Sequence, residues 1–123
     1  MAQAKRPKVI KFEVPKYPIS VVYVDVQGEV SVTAQIDNQG NVFSVKSEGK
    51  NGLLKQICEE AVKNWKFSKS TKSEMQEAEV LFNFRIKKNN NLKNNYKRPE
   101  IKYRFEKPNR MEVTIIDYPR YNT

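Results

Sequence analysis

The chain of 123 residues contains no histidine, one cysteine, one tryptophan and four glycines. Without an imidazole, the usual general base at neutral pH and the commonest zinc ligand are both missing. Cys58 can form no intrachain disulfide. With no second cysteine and no histidine beside it, it reads as a small core side chain rather than a nucleophile or metal ligand. No glycine-rich phosphate loop occurs, and Asp and Glu fall mainly on the polar faces of strands and helix rather than in ligand-spaced clusters. There is no apolar run near the roughly 20 residues that cross a bilayer, and no charged start followed by an apolar core and a small-residue cleavage site. No catalysis, metal, cofactor or direct membrane insertion is expected of these residues.

Positive charge is plentiful. Twenty-three Lys and Arg stand against fourteen Asp and Glu, a formal +9, which draws a chain toward anionic partners such as nucleic acid, acidic glycan or lipid head groups. The surplus is concentrated late: residues 87–123 hold 10 basic and 4 acidic side chains, residues 1–86 hold 13 and 10. A solvated strand surface explains such a surplus first, and a dedicated anion site second. The length suits one domain that buries about 65% of its unfolded surface and needs no metal or disulfide to hold a core.

Apolar and polar residues alternate repeatedly, the pattern of half-buried strands. Ile10, Phe12 and Val14 alternate with Lys11 and Glu13. Val30, Val32, Ala34 and Ile36 alternate with polar residues up to Asp37-Asn38-Gln39-Gly40, types suited to a tight turn, and Val42, Phe43 and Val45 follow. That is a hairpin. "NGLLKQICEEAVKNWKFS", residues 51–68, places Leu54, Ile57, Cys58, Ala61, Val62 and Trp65 at spacings of three and four. The spacing predicts a helix with one apolar stripe laid on a sheet, capped by Asn51 or Ser47, with Trp65 and Phe67 as core wedges. After a polar loop, Val80, Phe82, Phe84 and Ile86 alternate with Glu79, Leu81, Asn83, Arg85 and Lys87 in the longest clean strand. An Asn- and Lys-rich tract, Lys87 to Asn95, predicts an exposed connector. Ile101, Tyr103 and Phe105, a turn at Pro108-Asn109, then Met111, Val113 and Ile115 make a second hairpin.

Tyr17-Pro18, Val26-Gln27-Gly28 with Val30 and Val32, Ile36-Asp37 and Gly40 with Val42 and Val45, then Gly52-Leu53-Leu54, Ala61, Trp65 and Phe67 stand in an order and spacing that resembles the C-terminal domain family of TonB, the energy transducer of Gram-negative envelopes. The likeness covers residues 15–87. "IKYRFEKPNRMEVTI" is loosely similar to extensions on short, stand-alone members. The resemblance implies an α+β fold, an antiparallel sheet with one helix packed across one face, here with an added C-terminal β-hairpin. The implied divisions are a lead-in strand over 1–14, the TonB-like domain over 15–87, a connector over 88–98 and the hairpin over 99–123.

In that family the domain hangs from an inner-membrane helix and a proline-rich spacer, and takes an extended segment of an outer-membrane receptor as an added strand. The edge strand that receives it corresponds to Glu79, Val80, Leu81, Phe82, Asn83, Phe84 and Arg85, running on to Lys87, with Tyr17 and Pro18 nearby. A non-catalytic periplasmic interaction module, serving energy-coupled transport, is therefore the leading reading. Strand addition supplies affinity through main-chain groups and selectivity through flanking side chains. Three departures stand out. "ISVVYVDV", residues 19–26, is β-branched and reads as extended where the family has a helical turn. Ser68 stands where a proline commonly follows the Trp and Phe. The added hairpin could also pair with the receiving strand and occupy its edge, or leave it open.

Two other readings remain open: a structural or dimerising module with a sealed or swapped edge, and a basic module for nucleic acid or cell-wall polymer. The last would use Lys97, Arg98, Lys102, Arg104 and Arg110, with Tyr96 and Tyr103 as stacking groups. Met1-Ala2 without an export signal suggests a piece trimmed from something longer, so the periplasmic location rests on the resemblance alone.

Overall fold

Asp37 organises the first hairpin. In the computed structural model, which describes residues 7–70, 75–89 and 98–118, its carboxylate accepts from the N–H groups of Gln39 (3.0 Å) and Asn41 (2.8 Å). Gly40 closes the turn with its N–H on the Asp37 carbonyl at 3.1 Å and a φ of +87°. The turn joins β2 (Gly28–Ile36) to β3 (Val42–Gly49), paired antiparallel. β1 (Val9–Lys11) lies earlier and pairs with β4 (Lys66–Phe67) in a separate two-stranded sheet. The Phe67 N–H reaches the Gly40 carbonyl at 2.9 Å, so β4 crosses directly against the turn.

Helix α1 (Gly52–Val62) begins where Asn51 accepts the Leu54 N–H at 3.0 Å, satisfying a first-turn donor. Ser47, the other candidate cap, instead donates its hydroxyl to Glu59. Leu54, Ile57, Cys58, Ala61 and Val62 are buried as the spacing predicted, and α1 lies on β2 and β3. Trp65 is wholly buried. Its ring meets Phe12, Phe67, Phe82 and Phe105 with centroids 5.9 to 6.3 Å apart, distances suited to edge and tilted packing.

β5 (Gln76–Lys88) pairs antiparallel with β2, and the second hairpin, β6 (Glu100–Glu106) and β7 (Arg110–Asp117), completes a five-stranded sheet of order β3-β2-β5-β7-β6. β7 runs parallel to β5, from Leu81 opposite Arg110 to Lys88 opposite Asp117. The antiparallel core with its helix is thus as expected, and the hairpin makes the whole sheet mixed.

Three expectations need correction. The strand from Glu79 to Lys87, expected at an edge, is the third of five. An edge there would leave the flank of Phe82 and Phe84 to water. β7 carries Met111, Val113 and Ile115 onto the same face, and all five side chains are buried. Ile19–Val24 is a 3-10 helix rather than an extended run. Pro18 starts it, the Val21 N–H reaches the Pro18 carbonyl at 3.1 Å, and Asp25 ends it in a left-handed conformation, φ 54°. Val22 is buried and Val21 packs partly buried against the core, so these contacts and two turn residues override the β-branched preference. At the N-terminus the strand is three residues long, Ile10 is 68% exposed, and Val9 is the partly buried one.

Of the connector expected over 88–98, Lys88 still belongs to β5 and residues 90–97, including Tyr96 and Lys97, lie outside the described residues.

Candidate partner-binding edges of the sheet

The alternation of β5 divides its candidate residues between two faces. Val80, Phe82 and Phe84 point into the core, while Glu79, Leu81, Asn83 and Arg85 occupy the face that the helix does not cover. On that open face Leu81 is 36% exposed, and Asn83 donates to the Glu112 carboxylate of β7 at 2.9 Å. The main chain is engaged on both sides: β2 along Gln76 to Phe84, β7 along Leu81 to Lys88. A partner can take the β7 position only if the hairpin leaves. Leaving would return Met111, Val113 and Ile115 from complete burial, and Ile101, Tyr103 and Phe105 from partial burial, to water. At about 2 kcal/mol for each fully buried side chain and about half that for the others, the cost is about 5–10 kcal/mol. That is comparable to the whole stability of a typical domain, about 5–15 kcal/mol.

Tyr17 and Pro18 fix how the chain runs into the domain. The Tyr17 ring is buried 6.1 Å from that of Phe84, and its hydroxyl donates to the Val26 carbonyl at 2.8 Å, closing a loop over the 3-10 helix. Burial, with a smaller contribution from Asp25, raises the phenol above its ordinary value.

The basic residues do not converge into one patch. Lys102 and Arg104 stand exposed on the open face of β6, and Arg110 on that of β7, but Glu100, Glu106 and Glu112 alternate with them. Arg104 bonds Glu106 at 2.6 Å, an exposed pair of small energetic value, and Arg110 bonds the half-buried Glu112 at 2.8 Å. Arg98 is exposed beside the start of β6. Tyr103, expected as a stacking group, is turned to the core side, and its hydroxyl donates to the Pro15 carbonyl at 3.0 Å. Its phenol is raised by burial.

The sheet's open edges are β3 and β6. Which main-chain groups they offer follows from the ladders. The Leu81 N–H bonds the Asn109 carbonyl at 2.9 Å, so in the parallel ladder the odd residues of β7 face β5 and its even residues face β6. The even residues of β6 therefore bond to β7, leaving the N–H and C=O groups of Ile101, Tyr103 and Phe105 directed outward. The same parity leaves Val45, Ser47 and Gly49 outward on β3. Beside the C-terminal half of the β6 edge is a cavity of about 430 Å³ lined by Pro7, Lys8, Val9, Phe105, Lys107 and Pro108. Sequence reasoning singled out Lys102 and Arg104 but not this edge, because strand order is not written in local alternation.

Among the described residues no group of three or more Cys, Asp or Glu is placed to hold a metal, and no helix is long and apolar enough to cross a membrane. Cys58 is buried under α1, and burial together with Glu59 pushes its thiol far up.

One capped helix laid on the antiparallel β3-β2-β5 core, extended by the β6–β7 hairpin, defines an α+β domain. The family model described as Gram-negative bacterial TonB protein C-terminal matches residues 13–94, and the chain belongs to that family. Similar curated proteins are the Protein TonB sequences of two strains of Xanthomonas campestris pv. campestris, one of them strain B100, each 39% identical over 59 residues. That stretch is 46% of this chain and 26% of the relatives' length.

Proposed function

We propose that the domain is a periplasmic TonB-like interaction module of a Gram-negative envelope. It joins an extended segment of an outer-membrane receptor to its sheet as an added strand, in the service of energy-coupled transport. One observation carries the reading: the sheet accepts a strand along β5, at the position where the family takes its partner, and here that strand is the chain's own β7. The chain's own hairpin, paired along Leu81 to Lys88, supports strand addition as the mode by which this sheet takes a partner. Family membership supplies the class of partner and the compartment. The role requires no chemistry beyond hydrogen bonding and side-chain fit, and no catalytic group is assigned.

The test is a titration of the isotopically labelled domain with peptides from the extended segments of TonB-dependent receptors, following every sheet amide. Saturable shifts along one strand edge of the sheet are expected. If the sheet amides stay unmoved with every receptor peptide, the domain does not work by strand addition.

A further inference from the structure

With the β5 position filled, a partner strand has to go elsewhere, and this step rests on the strand-addition reading. We propose that it docks on the outer edge of β6, and that the segment recognised there is an extended stretch alternating acidic and apolar residues.

The main-chain requirement is met by three successive rungs. Ile101, Tyr103 and Phe105 direct N–H and C=O groups outward, and among the described residues no other strand pairs with them. Their spacing, about 6.8 Å between alternate residues, is that of any extended segment. Side chains then set the chemistry. Between the rungs, Lys102 and Arg104 stand exposed at the middle of the open face, Arg104 also bonded to Glu106 at 2.6 Å and the pair flanked by Glu100 and Glu106, so the partner's two central residues on that face should be carboxylates. Phe105 lies on the other face and lines the 430 Å³ cavity with Pro7, Val9 and Pro108, which has room for an apolar side chain arriving opposite it. Lys8 and Lys107 at the same cavity add positive charge. One face of the incoming strand is thus acidic and the other apolar.

The alternatives fit less well. A second copy of β6 laid antiparallel about Tyr103 would set Lys102 against Arg104 and Glu100 against Glu106, like against like. The β3 edge offers Lys46 and Glu48, of opposite sign, and the cavity of about 420 Å³ at its Gly49 end is lined mainly by polar residues, Gln27, Glu29, Lys50 and Asn51.

Two seven-residue synthetic peptides test the proposal, one alternating Glu with Val and Leu, the other with Lys replacing every Glu. The acidic peptide should shift the amides of Ile101, Tyr103 and Phe105 while the β5–β7 amides keep their protection from exchange. The lysine peptide should bind at least about tenfold more weakly. Lys102→Glu with Arg104→Glu should weaken the acidic peptide about tenfold and favour the lysine one; Lys102→Gln with Arg104→Gln serves if the reversal harms folding, which circular dichroism reports. Equal affinity for both peptides, or no binding of the acidic one, overturns the proposal. Shifts centred on Leu81 to Lys88 with lost protection there mean that the hairpin exchanges with the partner. That outcome overturns docking at β6 while leaving strand addition intact. Receptor peptides that move no sheet amide would instead remove the strand-addition reading itself.

Discussion

The indole N–H of Trp65 donates to the main-chain carbonyl of Glu13 at 2.9 Å, across 52 residues of sequence. This bond fastens the N-terminal segment over the helix exit, and the same indole wedges apart Phe82 and Phe105. Trp65→Phe should therefore cost about 1–2 kcal/mol, because the ring is largely kept but the Glu13 carbonyl loses its donor. Trp65→Ala should cost about 3–5 kcal/mol through the cavity left behind. Urea denaturation distinguishes them, and equal losses would show that the hydrogen bond is not a separate contribution.

Gly40 and Gly28 both have positive φ, but their surroundings differ. A Cβ on Gly40 would sit 1.9 Å from the Phe67 carbonyl oxygen, whereas one on Gly28 meets nothing within 4 Å. Gly28→Ala should cost about 1 kcal/mol of backbone strain. Gly40→Ala should cost more than about 2 kcal/mol, since a main-chain neighbour must move. Thermal melts of the two variants report the order, and a milder Gly40 variant would contradict it.

Cys58 should be inert in the native protein. Its burial and raised thiol leave almost no thiolate at pH 8, so a disulfide reagent should label it only through opening of the helix. Labelling in native buffer as fast as in denaturant would contradict the packing under α1.

Alkaline pH should loosen the fold through Tyr17 and Tyr103. Burial raises both phenols above their ordinary value of 10.0, so the unfolded chain ionises first as pH rises. The stability they contribute is fully present below pH 10 and is lost as pH climbs through the folded-state values. Melting temperature should stay flat up to pH 9 and fall above about pH 10, and Tyr17→Phe should reduce the slope. An unchanged slope would mean that Tyr17 ionises without resistance from its site.

Ending the chain at Asn89 removes β6 and β7 and uncovers the flank of Phe82, Phe84 and Trp65. The shortened chain should lose cooperative unfolding or self-associate, as read by denaturation and sedimentation. A monomeric, cooperatively folding product would show that the hairpin is an accessory to an already complete core.

The β2–β3 hairpin and α1 were legible because their signals are local: alternating Val and Ile, the Asp37 to Gly40 turn, a cap at Asn51 and a stripe ending at Trp65. Residues 19–24 were not, because six mostly β-branched residues follow strand statistics unless one knows that Val22 meets the core. Least legible was the neighbour of β5. Alternation in Met111, Val113 and Ile115 specifies a strand with an apolar face, but its parallel placement depends on which edge of Phe82 and Phe84 is bare. So Glu79 to Lys87 could be recognised as a strand with one apolar face but not as an interior one, and the outward groups of Ile101, Tyr103 and Phe105 became identifiable only once strand order fixed the parity.

The parallel β5–β7 ladder also has a mechanical side. Its eight paired positions lie side by side along one direction, and β6 is bonded across the far flank of β7. A tug along a strand lying on β6 would strain those cross-strand bonds together in shear, whereas a tug across the sheet would part them one at a time. A pull along the strands should therefore meet more resistance than one that peels them apart.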